Sequence, residues 1–293
     1  MTLDLALLPP YRANVASDPE WMRAFARHAD AVGFESLLTV EHVAVPVDYA
    51  SRYPYSDTGR MPLDVDCELP DPLDLLAWLA GQTERIRLGT GILVLPEHHP
   101  LQLAKRCATI DRLSGGRLFL GVGVGWMREE VAALGIDPDE RGSRTDEGID
   151  ALRAVWRDDE VSFAGRHFAF ERVRSHPKPL QPSIPILVGG HAKAAARRAG
   201  ARGDGFFPLG LSGDLLTERW ALVRSTAEAA GRDPSSIELT LGGLLGDTAE
   251  SAMQEAIDRG ASRVVLSTRT ADLDELRRDM DTAITTRDRL VGT

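Results

Sequence analysis

The apolar run FESLLTV, residues 34–40, ends in Glu41 and His42. A carboxylate beside an imidazole at a strand end is a pair that can move a proton, because histidine titrates near neutrality and a carboxylate can orient it. The same pair can simply terminate a strand, so the company it keeps decides. Two glycine-broken runs follow. IRLGTGILVL, residues 86–95, interrupts a buried pattern with Gly89, Thr90 and Gly91, as a bulge does. RLFLGVGVG, residues 117–125, sets Gly121, Gly123 and Gly125 on alternate positions and then presents Trp126, Glu129 and Glu130. Glycine inside a strand gives up roughly 0.5–1 kcal/mol per site, so the spacing predicts a backbone kept bare for close approach by a flat ring or a phosphate, or else glycines packed beneath a helix. A third site is IPILVGGH, where Gly189, Gly190 and His191 run into the helical text AKAAARRAG. Free N–H groups at such a start suit an anion, and a plain strand-to-helix turn uses glycines too.

Other chemistries find less support. A dinucleotide fingerprint needs glycine where Trp126 stands, and no Gly-Lys-Ser/Thr supplies a phosphate loop. His98 and His99 are adjacent, which does not let both face one ion easily, so no metal site is expected. Glu129 and Glu130 read either as acids of a site or as first-turn residues that stabilise a helix start. His167 and His176 are candidates to reach a pocket. Asp111, Arg112, Ser114 and Arg117, around the Ser-Gly-Gly turn, are expected to hold the far end of the fold together.

The elements that must position these residues are legible. Short apolar runs alternate with longer helical patterns, which implies a parallel sheet. The strand texts are LDLALL, FESLLTV, IRLGTGILVL, RLFLGVG, IPILVGG, GDGFFPL, IELTLGG and RVVLS. Asp18-Pro19 and Asp71-Pro72 pair a capping acid with a proline at the first helical position, while Gly33 and Gly231 supply stops. Strand-helix units of this number in 293 residues predict an α/β fold of the TIM (β/α)8 barrel type as a single domain, residues 1–293, with a doubly wound open sheet as the alternative. Two insertions interrupt it, after strands two and four. Residues 43–70 form a long loop, a lid or a disordered segment, offering Tyr49, Tyr53 and Tyr55 as walls, and residues 161–170 read as a hairpin turning at Ala164-Gly165. Both are expected on the mouth of the barrel. A net charge of −10, with no lysine or arginine cluster, argues against nucleic acid as partner. The start MTLDLALLPP is not a signal peptide, no run reaches membrane-spanning length, and two distant cysteines fit a reducing interior, so a cytoplasmic protein acting on a small molecule is expected.

The stretch from residue 86 to residue 130, with DEGIDALRAVW and VGG after it, resembles the bacterial luciferase-like monooxygenase superfamily, and most of all its branch using the deazaflavin coenzyme F420. The resemblance implies a ring lying across the mouth of the barrel and propped by a non-prolyl cis peptide between Gly91 and Ile92. It assigns Glu41 and His42 as catalytic residues. It places Thr90, Gly91 and Ile92 behind the ring, Val124, Gly125 and Trp126 beside the cofactor and substrate, and Gly189, Gly190 and His191 at the phosphate, with Lys193, Arg197 and Arg198 near an acidic tail. Some members carry a proton-donating glutamate where this chain has Trp126, which leaves His42 as the expected proton-handling residue. The implied function is hydride transfer between F420 and a small organic substrate. The alternatives are an FMN-dependent monooxygenase using reduced flavin and O2, and a barrel that binds such a ligand without turnover. A homodimer through barrel helices is also implied.

Overall fold

The computed structural model describes residues 2–292. Its strands are β1 (Asp4–Leu8), β2 (Ser36–Thr39), β3 (Arg87–Thr90), β4 (Leu93–Val94), β5 (Leu118–Gly123), β6 (Val161–Ala164), β7 (Ala169–Val173), β8 (Ile186–Gly189), β9 (Gly205–Phe207), β10 (Glu238–Leu244) and β11 (Arg263–Ser267). The helices are α1 (Pro19–Val32), α2 (Pro72–Ala80), α3 (Pro100–Leu113), α4 (Arg128–Ala133), α5 (Arg141–Arg157), α6 (Lys193–Arg202), α7 (Gly213–Ala229), α8 (Ala249–Arg259) and α9 (Leu273–Val291). Asp18 and Asp71 cap α1 and α2 as their sequences dictate, each accepting two backbone N–H groups.

The expected third strand is present in two halves, β3 and β4, separated by Gly91 and Ile92, whose shared peptide bond is cis. Taken as one stave, they complete a ring of parallel staves in the order β3/β4, β2, β1, β11, β10, β9, β8, β5. Pairing of both halves with β5 closes it, so the sheet is a barrel and not an open doubly wound one. Strand residues alternate between two cores. Leu5, Leu7 and Leu37 point outward to the helices, while Ala6, Leu38, Phe119, Leu187, Phe207 and Val265 fill the lumen. Burial on both faces explains why these strands read as continuous apolar runs. Each fully buried leucine or phenylalanine contributes about 1.5–3 kcal/mol.

At the amino ends of the strands the lumen is sealed by charge. Arg263, almost fully buried, bonds Glu35 at 2.9 and 3.0 Å and lies 3.3 Å from Glu238. Burial alone would push the Glu35 carboxyl up, but the hydrogen bonds and charge of Arg263 overcome it and hold that carboxyl below its ordinary value. Arg117 bonds the Ala80, Thr83, Ile86 and Ser114 carbonyls, and Asp111 accepts from Leu180 N and Gln181 N, so the Ser-Gly-Gly region is the structural end the sequence suggested.

The second insertion corrects an expectation. β6 and β7 do form an antiparallel hairpin, but it follows α5, on the chain's way back to the amino ends of the strands. Its tip is fastened to the flank of α5, where the Glu147 carboxylate accepts from Arg166, His167 and Phe168 N–H. The hairpin residues do not line the cavity at the carboxyl ends of the staves.

Candidate active site

The glycines of β5 answer the question their spacing raises, in a way neither sequence reading gave. A Cβ on Gly121 would stand 2.1 Å from the Thr90 carbonyl oxygen, and one on Gly123 would stand 2.7 Å from Ile92 Cδ1. A Cβ on Gly189 would meet the same side chain, 2.8 Å from Ile92 Cγ2. The bare edge receives the kinked third strand: one isoleucine occupies the space left by glycines of β5 and β8. Thr90 is buried behind this kink, its Oγ1 donating to Gly121 O at 2.7 Å. Gly91 and Ile92, by contrast, line the mouth cavity.

That cavity, of about 760 Å³, opens at the carboxyl ends of the staves. It brings together Glu41, His42, Gly91, Ile92, Gly125, Trp126, Gly189 and Gly190 of the expected set. Thr90, Val124 and His191 are not among its lining residues, and neither is His167 nor His176. His167 is instead 2.9 Å from Ser143 Oγ on α5.

Glu41 and His42 separate in role. Glu41 Oε2 accepts the Val94 N–H at 2.5 Å and Oε1 lies 2.9 Å from His98 Nε2, so both oxygens hold the chain after the kink. Glu41 is thus engaged in positioning β4 while it lines the cavity. His98 serves this pair, and its neighbour His99 caps α3 through the Leu101 N–H. His42 finds its carboxylate on α4: Nδ1 is 2.7 Å from Glu130 Oε2. Glu130 Oε1 accepts Val43 and Ala44 N–H at 2.7 and 3.1 Å, so this carboxylate acts as an acceptor throughout. The imidazole therefore donates through Nδ1, and Nε2 is the ring nitrogen left for the cavity.

Glu129, one residue earlier, accepts Ala50 and Ser51 N–H at 2.8 and 3.0 Å; with Ser51 the largest influence, its carboxyl is held down to about 2. The two glutamates thus fasten the long loop to α4, and the loop is an ordered wall. Tyr53 N donates to Gly59 O, and the Tyr49 hydroxyl accepts from Met61 N. Trp126 stands at its centre, with edge contacts to Tyr49 at 5.5 Å, Tyr53 at 5.1 Å and His42 at 6.0 Å. Tyr55 continues the wall to His191 at 5.2 Å. Sequence reasoning missed Glu130 as the partner of His42; the adjacent acids after Trp126 were the available signal.

Glu97 stands apart from Glu41, Glu129 and Glu130, with no hydrogen bond or ion pair among the described residues. Both its carboxyl oxygens are buried without a partner, and burial, then Glu130 and Glu41, push it up to about 9.

Across the mouth, α6 begins at Lys193 with no side chain capping its N–H groups, after Gly190 at φ +111°. His191 Nδ1 is buried there without a partner among the described residues. An uncapped helix start and an orphaned imidazole nitrogen beside bare glycine backbone fit the anionic part of a cofactor. The expected basic groove is weaker than its sequence. Arg198 is buried and bonded to Asp146 at 2.6 Å, and Lys193 pairs with Glu218 at 3.0 Å, which leaves Arg197 exposed.

The sequence pattern of the luciferase-like monooxygenase family matches residues 7–290. An uncharacterized protein of Mycobacterium tuberculosis is 35% identical over 215 residues, 72% of this chain and 74% of that one. An F420-dependent glucose-6-phosphate dehydrogenase of Kineococcus radiotolerans is 31% identical over 182 residues, 60% of this chain and 54% of its own length. Among solved structures, a monooxygenase from Streptomyces bottropensis superposes with a TM-score of 0.75 at 25% identity, covering 98% of both chains. The chain belongs to the luciferase-like monooxygenase family.

Proposed function

Proceeding from that membership, we propose that the protein is an F420-dependent oxidoreductase acting on a small organic molecule, with His42 as the residue that holds and moves the proton. One observation carries this reading: His42 Nδ1 is tied to Glu130 at 2.7 Å while the same imidazole lines a cavity floored by Gly91 and Ile92. The bound deazaflavin supplies two-electron hydride chemistry. The chain's contribution is placement. Gly91 and Ile92 offer a shelf, Gly190, His191 and the start of α6 receive the anionic portion, and Trp126 with the tyrosines of the loop excludes water. Glu130 fixes the tautomer of His42, so that Nε2 exchanges a proton with the reacting oxygen or carbon. The Kineococcus radiotolerans relative supports this cofactor for the present chain.

Titration with F420 and with FMN, followed by turnover of each complex, tests the reading. F420 is expected to bind more tightly, and His42→Ala to retain it while turnover falls on the order of 100-fold or more. Full turnover by His42→Ala defeats the assignment, and binding without turnover on a broad substrate panel favours a storage role. The fold-wide likeness to the Streptomyces bottropensis monooxygenase supports a second reading, reduced FMN with O2, which preferential FMN binding would favour. A homodimer is part of the proposal, read by sedimentation.

A further inference from the structure

Two guanidinium groups line the cavity: Arg12, on the single helical turn after β1, and Arg269, just after β11. Neither has a hydrogen bond or ion pair among the described residues. The carboxylates of the same cavity are already committed, Glu41 to Val94 and His98 and Glu130 to His42, Val43 and Ala44. In a chain of net charge −10, the uncommitted charge facing this space is therefore positive.

The two cations are brought together by register. β1 and β11 are adjacent and parallel, with Leu8 opposite Ser267, and Thr268 then bonds back to Leu8 O at 2.9 Å. Arg12 and Arg269 thus leave neighbouring staves on the same side of the mouth. In the ring order, β8 lies four staves from β1 and three from β11, so the uncapped start of α6 faces them from across the barrel. A cofactor with its phosphate at the start of α6 has the exposed Arg197 on that same side for an acidic tail, so the pair across the mouth calls for another owner. Between Arg12 and the proton-handling residue runs the aromatic wall. Arg12 and Tyr53 both line the cavity, Tyr53 meets Trp126 at 5.1 Å, and Trp126 meets His42 at 6.0 Å.

We infer that the substrate is an aromatic or otherwise flat apolar molecule bearing a carboxylate, its anionic end held by Arg12 and Arg269 and its body against Tyr53 and Trp126, within reach of His42. A guanidinium fork matches a carboxylate with two parallel N–H bonds, while the rings of Tyr53 and Trp126 suit a flat apolar body. This rests on the assignment of His42 above, and its test reads binding, so that the two fail separately.

Calorimetric titration of the full-length protein, alone and saturated with whichever of F420 or FMN it binds, compares trans-cinnamate with cinnamamide, which share shape and differ in charge. Cinnamate is expected to bind about 10-fold or more tightly, in line with charge-assisted bonds to a carboxylate. Arg12→Ala and Arg269→Ala are each expected to remove most of that preference by weakening cinnamate alone, with cofactor affinity unchanged. Both side chains are exposed, and a thermal melt confirms that the variants fold. Equal affinity for the two probes, no cinnamate binding at millimolar concentration, or a preference that survives both substitutions overturns the inference. Variants that lose F420 affinity while keeping the cinnamate preference overturn it as well, and assign the guanidinium groups to the cofactor's tail. Loss of the His42 assignment leaves the probe preference to stand or fall on its own.

Discussion

The two ends of the barrel solve opposite problems with the same residue types. At the amino ends of the strands the buried cation has its partners within the chain: Arg263 joins Glu35 and Glu238, and the Phe119 ring is flanked by Arg87 at 4.9 Å and Arg263 at 5.1 Å. At the carboxyl ends, Arg12 and Arg269 line a cavity of about 760 Å³ with no hydrogen bond or ion pair among the described residues, and polar atoms of Glu97 and His191 are buried there likewise without one. The first end is complete within the chain. The second is arranged to be completed by something else. Charge is a fastener where its partners are internal and a reading device where they are not.

The comparison can be broken most directly at Arg263. Arg263→Ala leaves Glu35 with Arg87, at 3.0 Å, as its remaining cation and empties the space between Glu35 and Glu238, and is expected to cost about 2–4 kcal/mol, lowering Tm by several degrees, while the folded fraction binds cofactor unchanged. Weakened cofactor binding at full folding would show that the ends are not independent. Glycine substitutions sharpen the contrast. Gly89→Ala drives a methyl to 2.2 Å from the Phe119 ring in the lumen, and Gly123→Ala drives one to 2.7 Å from Ile92. Each is expected to cost about 1–3 kcal/mol in chemical denaturation, but only Gly123→Ala should weaken cofactor binding in titration.

The pH response should have opposite signs at the two ends. The folded Glu97 carboxyl, at about 9, lies above its ordinary 4.5, so its contribution is whole below pH 4.5 and is lost as pH rises toward 9. Glu97→Gln is therefore expected to stabilise the protein by about 1–2 kcal/mol at pH 8 and by nothing at pH 4.5. Glu35 is held below its ordinary value, so its contribution is present above pH 4.5 and is lost as pH falls through its folded value. Glu35→Gln should destabilise at neutral pH and less in acid, and urea melts at three pH values read both variants. The smallest effect is expected from Glu129→Gln, which weakens the bonds to Ala50 and Ser51. Hydrogen exchange over residues 43–51 should quicken with a global change below about 1 kcal/mol.

The barrel was legible because parallel staves buried on both faces leave unbroken apolar text, and because caps such as Asp18-Pro19 punctuate it. The broken third strand was legible from Gly89, Thr90 and Gly91, and the cis bond after Gly91 came with the family resemblance. The owner of the space beside Gly121 and Gly123 was not, since a sequence shows that a backbone is bare without showing what lies against it. The pairing of His42 with Glu130 was hidden for a similar reason. Contact across 88 residues of chain is decided by where α4 lands, while Glu41 is next to His42 in the sequence yet faces Val94. The hairpin was read correctly as a hairpin after the fourth strand, but local alternation carries no information about the helix that precedes it, and its residues do not line the cavity.

Ile92 fills a space left by Gly123 and Gly189 together, so none of these three positions is free to drift alone. A bulkier residue on either stave collides with it, and a smaller one at position 92 opens a void against both. Descendants of this sequence can change here only by coordinated steps, and an alignment of near relatives should show the three columns moving as a set or standing still.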